Sequence, residues 1–258
     1  PPDVAVALID RVAALRPGRI SVLDPAFGYD PAWRRAVLER IAASDRRDLV
    51  LTINGRPDAL ARLDVDKMYA ARVRLRLDVG TLSPTLLSVT GQAPQPRRAV
   101  DHALDLLRYA NAKGLLTVAS FTFNQPGETA RTAAETLDAL ERFVDEVPNT
   151  SVSLQAESWA YLPAGEPAAD LEAPASRFGT RIAWPEWWKE PVPSEAAAKA
   201  VVASAELAGR EPGDEAYWRP RFDELRRRMA AKLTAEAKRG LRSHESVGSE
   251  AYGVPNGW

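Results

Sequence analysis

Phe121-Thr122-Phe123-Asn124-Gln125-Pro126-Gly127-Glu128-Thr129 joins two segments of different period. Before it, Leu115 to Phe121 reads as an apolar strand. After it, Ala133, Leu137, Leu140, Val144 and Val147 recur at helical spacing. Pro-Gly makes the tight turn between them, and glycine admits close backbone approach by a ligand. Glu128 or Thr129 can cap the first amides of the helix, and an N-terminus placed there can receive an anionic group. On this physics alone the stretch is a well-capped strand–helix turn, with Glu128 a cap rather than a catalyst.

The same alternation extends outward in both directions. Strands are predicted at Arg19 to Leu23, Asp48 to Ile53, Arg72 to Val79 and Leu115 to Phe121, with a fifth beginning at Ser151 to Leu154 and running towards Glu157. Helical stripes lie between and before them: Val4, Leu8, Val12 and Leu15; Trp33, Val37, Leu38 and Ile41; Leu60, Leu63 and Met68; Ala99, Ala103, Leu107 and Ala110, closed by Gly114. Strands alternating with helices imply βαβ units and a parallel sheet, which an open doubly wound fold and a barrel both satisfy. A polar group follows each apolar run: Asp24, Asn54, Asp78, Asn124 and Glu157. In a barrel these positions share the C-terminal rim, where active sites form, and this favours the barrel.

Past Pro163 the pattern changes. Residues 163–193 are proline-rich, with Trp184, Trp187 and Trp188 around Pro185, and read as an extended segment packed on the domain. Ser194 to Leu207 and Glu215 to Leu241 read as two helices, the second with Arg226, Arg227 and Arg228 on a solvated face, and a polar tail follows. His102 reads as a surface or capping residue at a helix start, and His244 lies in the tail.

The 258 residues carry 34 basic and 35 acidic side chains, and a formal charge of −1 gives no general attraction to nucleic acid or anionic membrane. No apolar run reaches the ~18–20 residues of a membrane span. With no cysteine, the chain offers no disulfide, thiol nucleophile or thiolate ligand for zinc or an iron–sulfur cluster. Two histidines cannot build a multi-histidine metal site, and no metal ligand set is assigned.

Strand, Pro126-Gly127-Glu128-Thr129, then helix resembles the turn after the fifth strand of radical S-adenosylmethionine (SAM) enzymes, especially their cobalamin-dependent members. Arg76-Leu77-Asp78-Val79-Gly80-Thr81-Leu82-Ser83-Pro84-Thr85-Leu86-Leu87 is similar to the family's fourth strand and its loop. There the family usually has glycine at the Asp78 position and Glu or Gln at the Gly80 position. Ile20 to Phe27 resembles the second strand with an aspartate-bearing turn, and Trp159 to Gly165 the loop after the sixth. The resemblance covers roughly residues 1–190. It implies an α/β fold: a partial (β/α)6 TIM-like barrel of parallel strands over 1–165, its first strand missing. Residues 166–258 would form a Trp/Pro-rich extended segment and a C-terminal helical extension.

The family's CxxxCxxC loop, which holds a [4Fe–4S] cluster, would fall shortly before Pro1. The expectation is therefore a C-terminal part of a larger polypeptide, or half of a split enzyme. The missing segment or partner chain would carry CxxxCxxC and a cobalamin domain, and would cover the bare strand at Ile20. By the same resemblance, Asp24 lies near the SAM ammonium group; Asp78, Thr81 and Ser83 near its ribose and carboxylate; Asn124 and Gln125 beside the adenine. Glu157 completes the cofactor side, and Trp159 and Tyr161 face the substrate. The implied activity is reductive SAM cleavage followed by C-methylation of an unactivated carbon in a small molecule or natural-product intermediate, in the cytoplasm. Two other readings stay open: a non-catalytic scaffold or partner subunit, and an unrelated barrel lyase or hydrolase using Asp24, Asp78 and Glu157 as acid–base groups or magnesium ligands.

Overall fold

The computed structural model describes residues 1–15, 19–22, 24, 27–44, 50–161, 181–183, 200–203, 215–235 and 237–238. Five strands, β1 (Arg19–Ser21), β2 (Val50–Gly55), β3 (Arg74–Gly80), β4 (Thr117–Phe123) and β5 (Val152–Ser158), form one parallel sheet in the order of the sequence. Helix α1 (Pro2–Ala13) precedes β1, and α2 (Pro31–Ala43) and α3 (Arg62–Ala70) fill the next two crossovers. Between β3 and β4 lie α4 (Pro84–Thr90) and α5 (Pro96–Lys113), and α6 (Ala130–Glu146) leads to β5. A doubly wound sheet reverses its strand order at a switch point. This one never reverses, so right-handed crossovers place the helices on one face. The result is the α/β arc of a partial barrel, as the rim pattern predicts.

Strand pleating sorts the side chains. Leu51, Ile53, Leu75, Leu77, Ala119, Phe121, Phe123, Val152 and Leu154 point outward into the helical layer and belong to the main core, and the partly buried Ile20 packs against it. The opposite parity puts polar groups on the inner face, and the register lines them up. One row holds Ser21, Thr52 and Arg74; the next holds Asn54, Arg76, Val118 and Ser153; then come Asp78, Ser120 and Gln155, and lastly Thr122 and Glu157.

Helix α7 (Arg219–Ala231) follows β5 and packs into the same core through Phe222, Leu225 and Met229. Of the charged run, Arg226 and Arg227 pair with Asp223 and Glu224 on their own helix, while Arg228 turns to Glu141 and Asp145 on α6. After α7, Thr150 N–H donates to the Lys232 carbonyl (3.0 Å) and Thr234 N–H to the Thr150 carbonyl (3.2 Å). The returning chain thus lies beside the foot of β5, and Ala237 packs on Val118 of the inner face.

Several expectations are corrected. The stripe Val4, Leu8, Val12 and Leu15 is exposed (63%, 59%, 36% and 81%); α1 buries Ile9 instead. Ala200–Ala203, inside the predicted helix 194–207, is a strand (β8) pairing antiparallel with β6 (Ala160–Tyr161) and β7 (Arg181–Ala183). Alanine's helix propensity yields there to tertiary pairing. His102 is not a cap: it sits within α5, with Nε2 2.9 Å from the carbonyls of Pro57 and Leu60. Trp184, Trp187, Trp188 and His244 lie outside the described residues.

One buried ion pair ties the first two rim loops together. Arg34 is 1% exposed; its guanidinium donates to the carbonyls of Gly28 (2.5 Å) and Ala59 (2.8 Å) and pairs with Asp64 (3.0 Å), itself 1% exposed. Asp64 also accepts from Arg35 and from the Ala61 N–H at the start of α3 (2.8 Å). Burial opposes its charge, yet these donors hold the carboxyl below its ordinary range. Asp64→Ala leaves a buried guanidinium without its counter-charge and is expected to cost about 3–5 kcal/mol in chemical denaturation. Replacing both partners by apolar residues should cost clearly less than the Asp64 variant alone.

Candidate functional site

The C-terminal ends of the five strands form a rim above the polar inner face. After β1, the side-chain amide of Asn54 donates to the carbonyls of Val22 (3.3 Å) and Asp24 (3.1 Å), and Phe27 N–H donates to the Asn54 carbonyl (3.0 Å). Asn54 is thus the stitch that shapes the first loop. Asp24 is exposed, with a carboxylate oxygen 3.5 Å from the Gly28 N–H. Gly28 has φ +63°, and a Cβ there would meet the Trp33 ring at 2.7 Å, so only glycine fits.

Asp78 ends the straight part of β3, and the register slips between it and Gly80, whose φ is +68°. Asp78 is exposed. Desolvation by the surrounding chain pushes its carboxyl up, with Arg56 and Arg76 partly opposing. The left-handed backbone accounts for glycine at position 80, where Glu or Gln would be strained.

Thr81 and Ser83 are buried and point to α6. Thr81 Oγ1 lies 2.8 Å from Thr136 Oγ1, and Ser83 donates to Glu135 (2.7 Å) while accepting from the Leu86 N–H (3.0 Å) as the cap of α4. Gln125 donates to the Thr122 carbonyl (2.7 Å), and Gln92 reaches its side chain at 3.4 Å. Glu157 is exposed at the top of the inner face, beside Thr122 in register. Trp159 N–H donates to the Phe123 carbonyl (2.7 Å), and Tyr161 pairs through its backbone with Ala200.

The most developed cluster surrounds Asn124 and Glu128. Asn124 takes φ +60°, a left-handed conformation that asparagine tolerates better than most residues. Its N–H donates to Glu128 Oε2 by a short bond, its side-chain amide donates to Ser158 Oγ (3.0 Å), and Ser158 donates to Glu215 (2.6 Å). Asn124 Oδ1 therefore faces Tyr217, whose hydroxyl lies 2.8 Å from it and 2.9 Å from Glu128 Oε2. One hydroxyl proton cannot serve both acceptors. The network closes when Glu128 carries a proton of its own and donates it to Tyr217.

Burial agrees with that count. Glu128 is 0% exposed, its Oε1 has no partner, and desolvation pushes its carboxyl up to about 7 despite opposing bonds from Tyr217, Asn124 and Gln125. The cap of α6 is Thr129, which accepts from the Thr132 N–H (3.1 Å), not Glu128. Tyr217, Trp218 and Glu215 were not singled out in the sequence; a tyrosine–tryptophan pair just ahead of Arg219-Pro220 was the available signal. Trp218 stacks on Phe123 (4.3 Å, 7°), so the segment before α7 is pinned over the end of β4.

The structure brings Asn124 and Gln125 into one turn and sets Asp78 and Glu157 on neighbouring rows of the inner face. Among the described residues no three His, Cys, Asp or Glu side chains gather as a metal site, which counts against a magnesium centre at Asp24, Asp78 and Glu157. No described helix is long and apolar enough to cross a membrane. A wide groove between α4, α5 and α6 lies on the outer side and contains none of the rim carboxylates.

No protein-family model matches the chain, and no curated protein does. Among solved structures, the fold is similar to that of TsrM from Kitasatospora setae, a radical S-adenosylmethionine methyltransferase, with cobalamin and a [4Fe–4S] cluster bound. The TM-score is 0.57 at 17% identity, covering 92% of this chain and 46% of that one. TsrM with tryptophan substrate and a SAM analogue gives TM-score 0.55 at 17% identity, over 81% of this chain and 43% of that one. The chain thus spans somewhat under half the length of these proteins, and shares their fold.

Glu128 binds a proton more tightly folded than its ordinary value of 4.5 allows when unfolded. Between about 4.5 and 7 the folded state holds the extra proton, so stability falls as pH rises through that window and levels off above it. The expected amplitude is on the order of 3 kcal/mol. Glu128→Gln, an uncharged donor of the same shape, should flatten this slope in urea melts from pH 5 to 8. An unchanged slope would assign the titration to another group.

Proposed function

We propose that this chain is the SAM-binding arc of a cobalamin-dependent radical SAM enzyme, completed by a segment or partner chain that carries CxxxCxxC and a cobalamin domain. The observation that carries the reading is the polar inner face and rim on a sheet that never reverses its strand order, in a fold shared with TsrM. The rim suits SAM: Asp24, Asp78 and Glu157 supply acceptors for an ammonium group and ribose hydroxyls, and the Asn124–Gln125 turn supplies a fixed backbone edge for adenine. Thr81 and Ser83 act through the loop they hold, which sets the approach to ribose and carboxylate. Trp159 and Tyr161 stand on the substrate side.

The cluster is a different matter. The chain has no cysteine, so its own residues do not fit a [4Fe–4S] group. Two features favour a completing segment at the β1 side. Among the described residues β2 is the sole strand paired with β1, and the stripe Val4, Leu8 and Leu15 on adjacent α1 is open to solvent. SAM and cobalamin, when bound, supply radical generation and a methyl group; the protein's part is to orient, to exclude water and to shape the pocket. The reaction is C-methylation of an unactivated carbon in a small molecule, in the cytoplasm. The total absence of cysteine supports a second reading, a radical-SAM-like scaffold that has lost its own chemistry.

The test is anaerobic reconstitution of this chain together with its cluster-bearing segment. The assembly should take up iron, and SAM should perturb the electron paramagnetic resonance signal of the reduced cluster. Asn124→Ala should weaken that SAM response about tenfold, consistent with ~1–3 kcal/mol for losing a buried polar anchor. An assembly with no iron, or with a cluster indifferent to SAM, supports the scaffold.

A further inference from the structure

We propose that Glu128 and Tyr217 are positioning residues that lock the Asn124–Gln125 turn through a shared proton, so that the turn receives a ligand while Glu128 is protonated and loses it when Glu128 ionises. The use of this turn by an adenosyl ligand rests on the function proposed above; the lock itself does not.

Asn124 stands at φ +60° and is 1% exposed. A left-handed backbone at a residue with a side chain persists where its surroundings over-determine it. Three elements do so here. Glu128, ahead of α6, holds the Asn124 N–H; Ser158, at the end of β5, holds the side-chain amide (3.0 Å); Tyr217, ahead of α7, meets Oδ1 (2.8 Å). Ser158 donates onward to Glu215 (2.6 Å), so its hydroxyl accepts from Asn124 and fixes which way the amide faces. Oδ1 is an acceptor only, and the Tyr217 proton must point at it.

Glu128 Oε2, 2.9 Å from the same hydroxyl oxygen, then supplies the proton between them. Ionised, the carboxylate draws the Tyr217 proton to itself. Asn124 Oδ1 is left facing a hydroxyl oxygen with no hydrogen between, two acceptors pressed together in a buried place. Rotation of Asn124 out of its left-handed conformation relieves both this repulsion and the backbone strain, and it moves the turn. The message passes through one hydroxyl.

The groups around Glu128 set where the change falls. β4 and the turn carry no charged side chain. Glu215, ahead of α7, is paired with Arg219 (2.6 Å) and is linked to Glu128 through Ser158 and Asn124. Arg221 on α7 is taken by Asp138 and Glu141 of α6, Arg131 pairs with Glu135 on α6, and Glu157 of β5 is exposed on the inner face. Among the described residues no cation pairs with Glu128, and its Oε1 is buried and bare. Desolvation therefore dominates and pushes the carboxyl up to about 7. The lock is whole below that value and is lost as pH rises through it.

Adenosine is the probe, since none of its groups titrates between pH 6 and 8. Its dissociation constant is measured over that range for the chain assembled with its cluster-bearing segment. Amide exchange of Gln125, Gly127 and Glu128 in the full chain is followed alongside, as protection factors, which remove the intrinsic pH dependence of exchange. At pH 8 about a tenth of Glu128 keeps its proton, so adenosine should bind about tenfold more weakly than at pH 6. Protection of the turn should fall over the same interval. Glu128→Gln cannot ionise, and Tyr217→Phe has no hydroxyl to pass the change on; both should give flat profiles, whatever their level. Tyr217→Phe keeps the ring and carries the test if Glu128→Gln does not fold. Protection that is flat in the unaltered chain, or a step that survives in either variant, overturns the proposal. Adenosine bound equally at pH 6 and 8 overturns the coupling to ligand. Adenosine that binds at no pH, with the protection step intact, overturns the adenosyl reading and leaves the lock.

Discussion

Strand parity is the constraint on which everything else rests. Ten outward side chains from Ile20 to Leu154 must meet the helices, and that requirement fixes the register of all five strands. A slip of one residue in β3 would send Leu75 and Leu77 to the inner face and Arg74, Arg76 and Asp78 into the core. The apolar demand of the outer layer is therefore what holds the polar groups in place. Apart from Val118 under Ala237, the inner face is not needed for the core and is polar, and its order from arginines at the foot to carboxylates at the rim follows from the sequence Arg74-Leu75-Arg76-Leu77-Asp78.

Two clamps turn this arc into a site with fixed loops. On the β1 side, Arg34 and Asp64 bind the loops after β1 and β2 to α2 and α3. On the β5 side, Tyr217 and Glu215 grip Asn124, Glu128 and Ser158, while Trp218 lies flat on Phe123. The second clamp holds a proton as part of its hydrogen-bond count. Rim geometry and the segment ahead of α7 are thereby coupled, although some ninety residues of chain separate them.

The strands and the larger helices were legible because each buries one face, and the period of that burial is written along the chain. Rim residues were legible as the polar group after each apolar run. What escaped is what depends on distant partners. Nothing local marks Arg34 rather than its neighbour Arg35 as buried, and only the fold brings Asp64 to it. Tyr217 reads as an ordinary helix-start aromatic until β4 is placed beneath it. The α1 stripe has perfect helical spacing, yet it faces solvent, because periodicity shows that a face is apolar and not what covers it. Helix α4 was missed for its seven residues, although Ser83-Pro84 at its start and Gly91 at its end were in plain view. At Ala200–Ala203 local propensity pointed to a helix and pairing with β6 and β7 decided otherwise.

The central claim is that the rim above the polar face is where an adenosyl ligand rests. Amide hydrogen exchange of the assembled protein, with and without SAM, addresses it without reference to turnover. The account predicts slowed exchange at the backbone of Gly80 to Ser83 and of Asn124 to Glu128. Protection confined to the outer groove between α4, α5 and α6, or no protection at either rim loop, would contradict it.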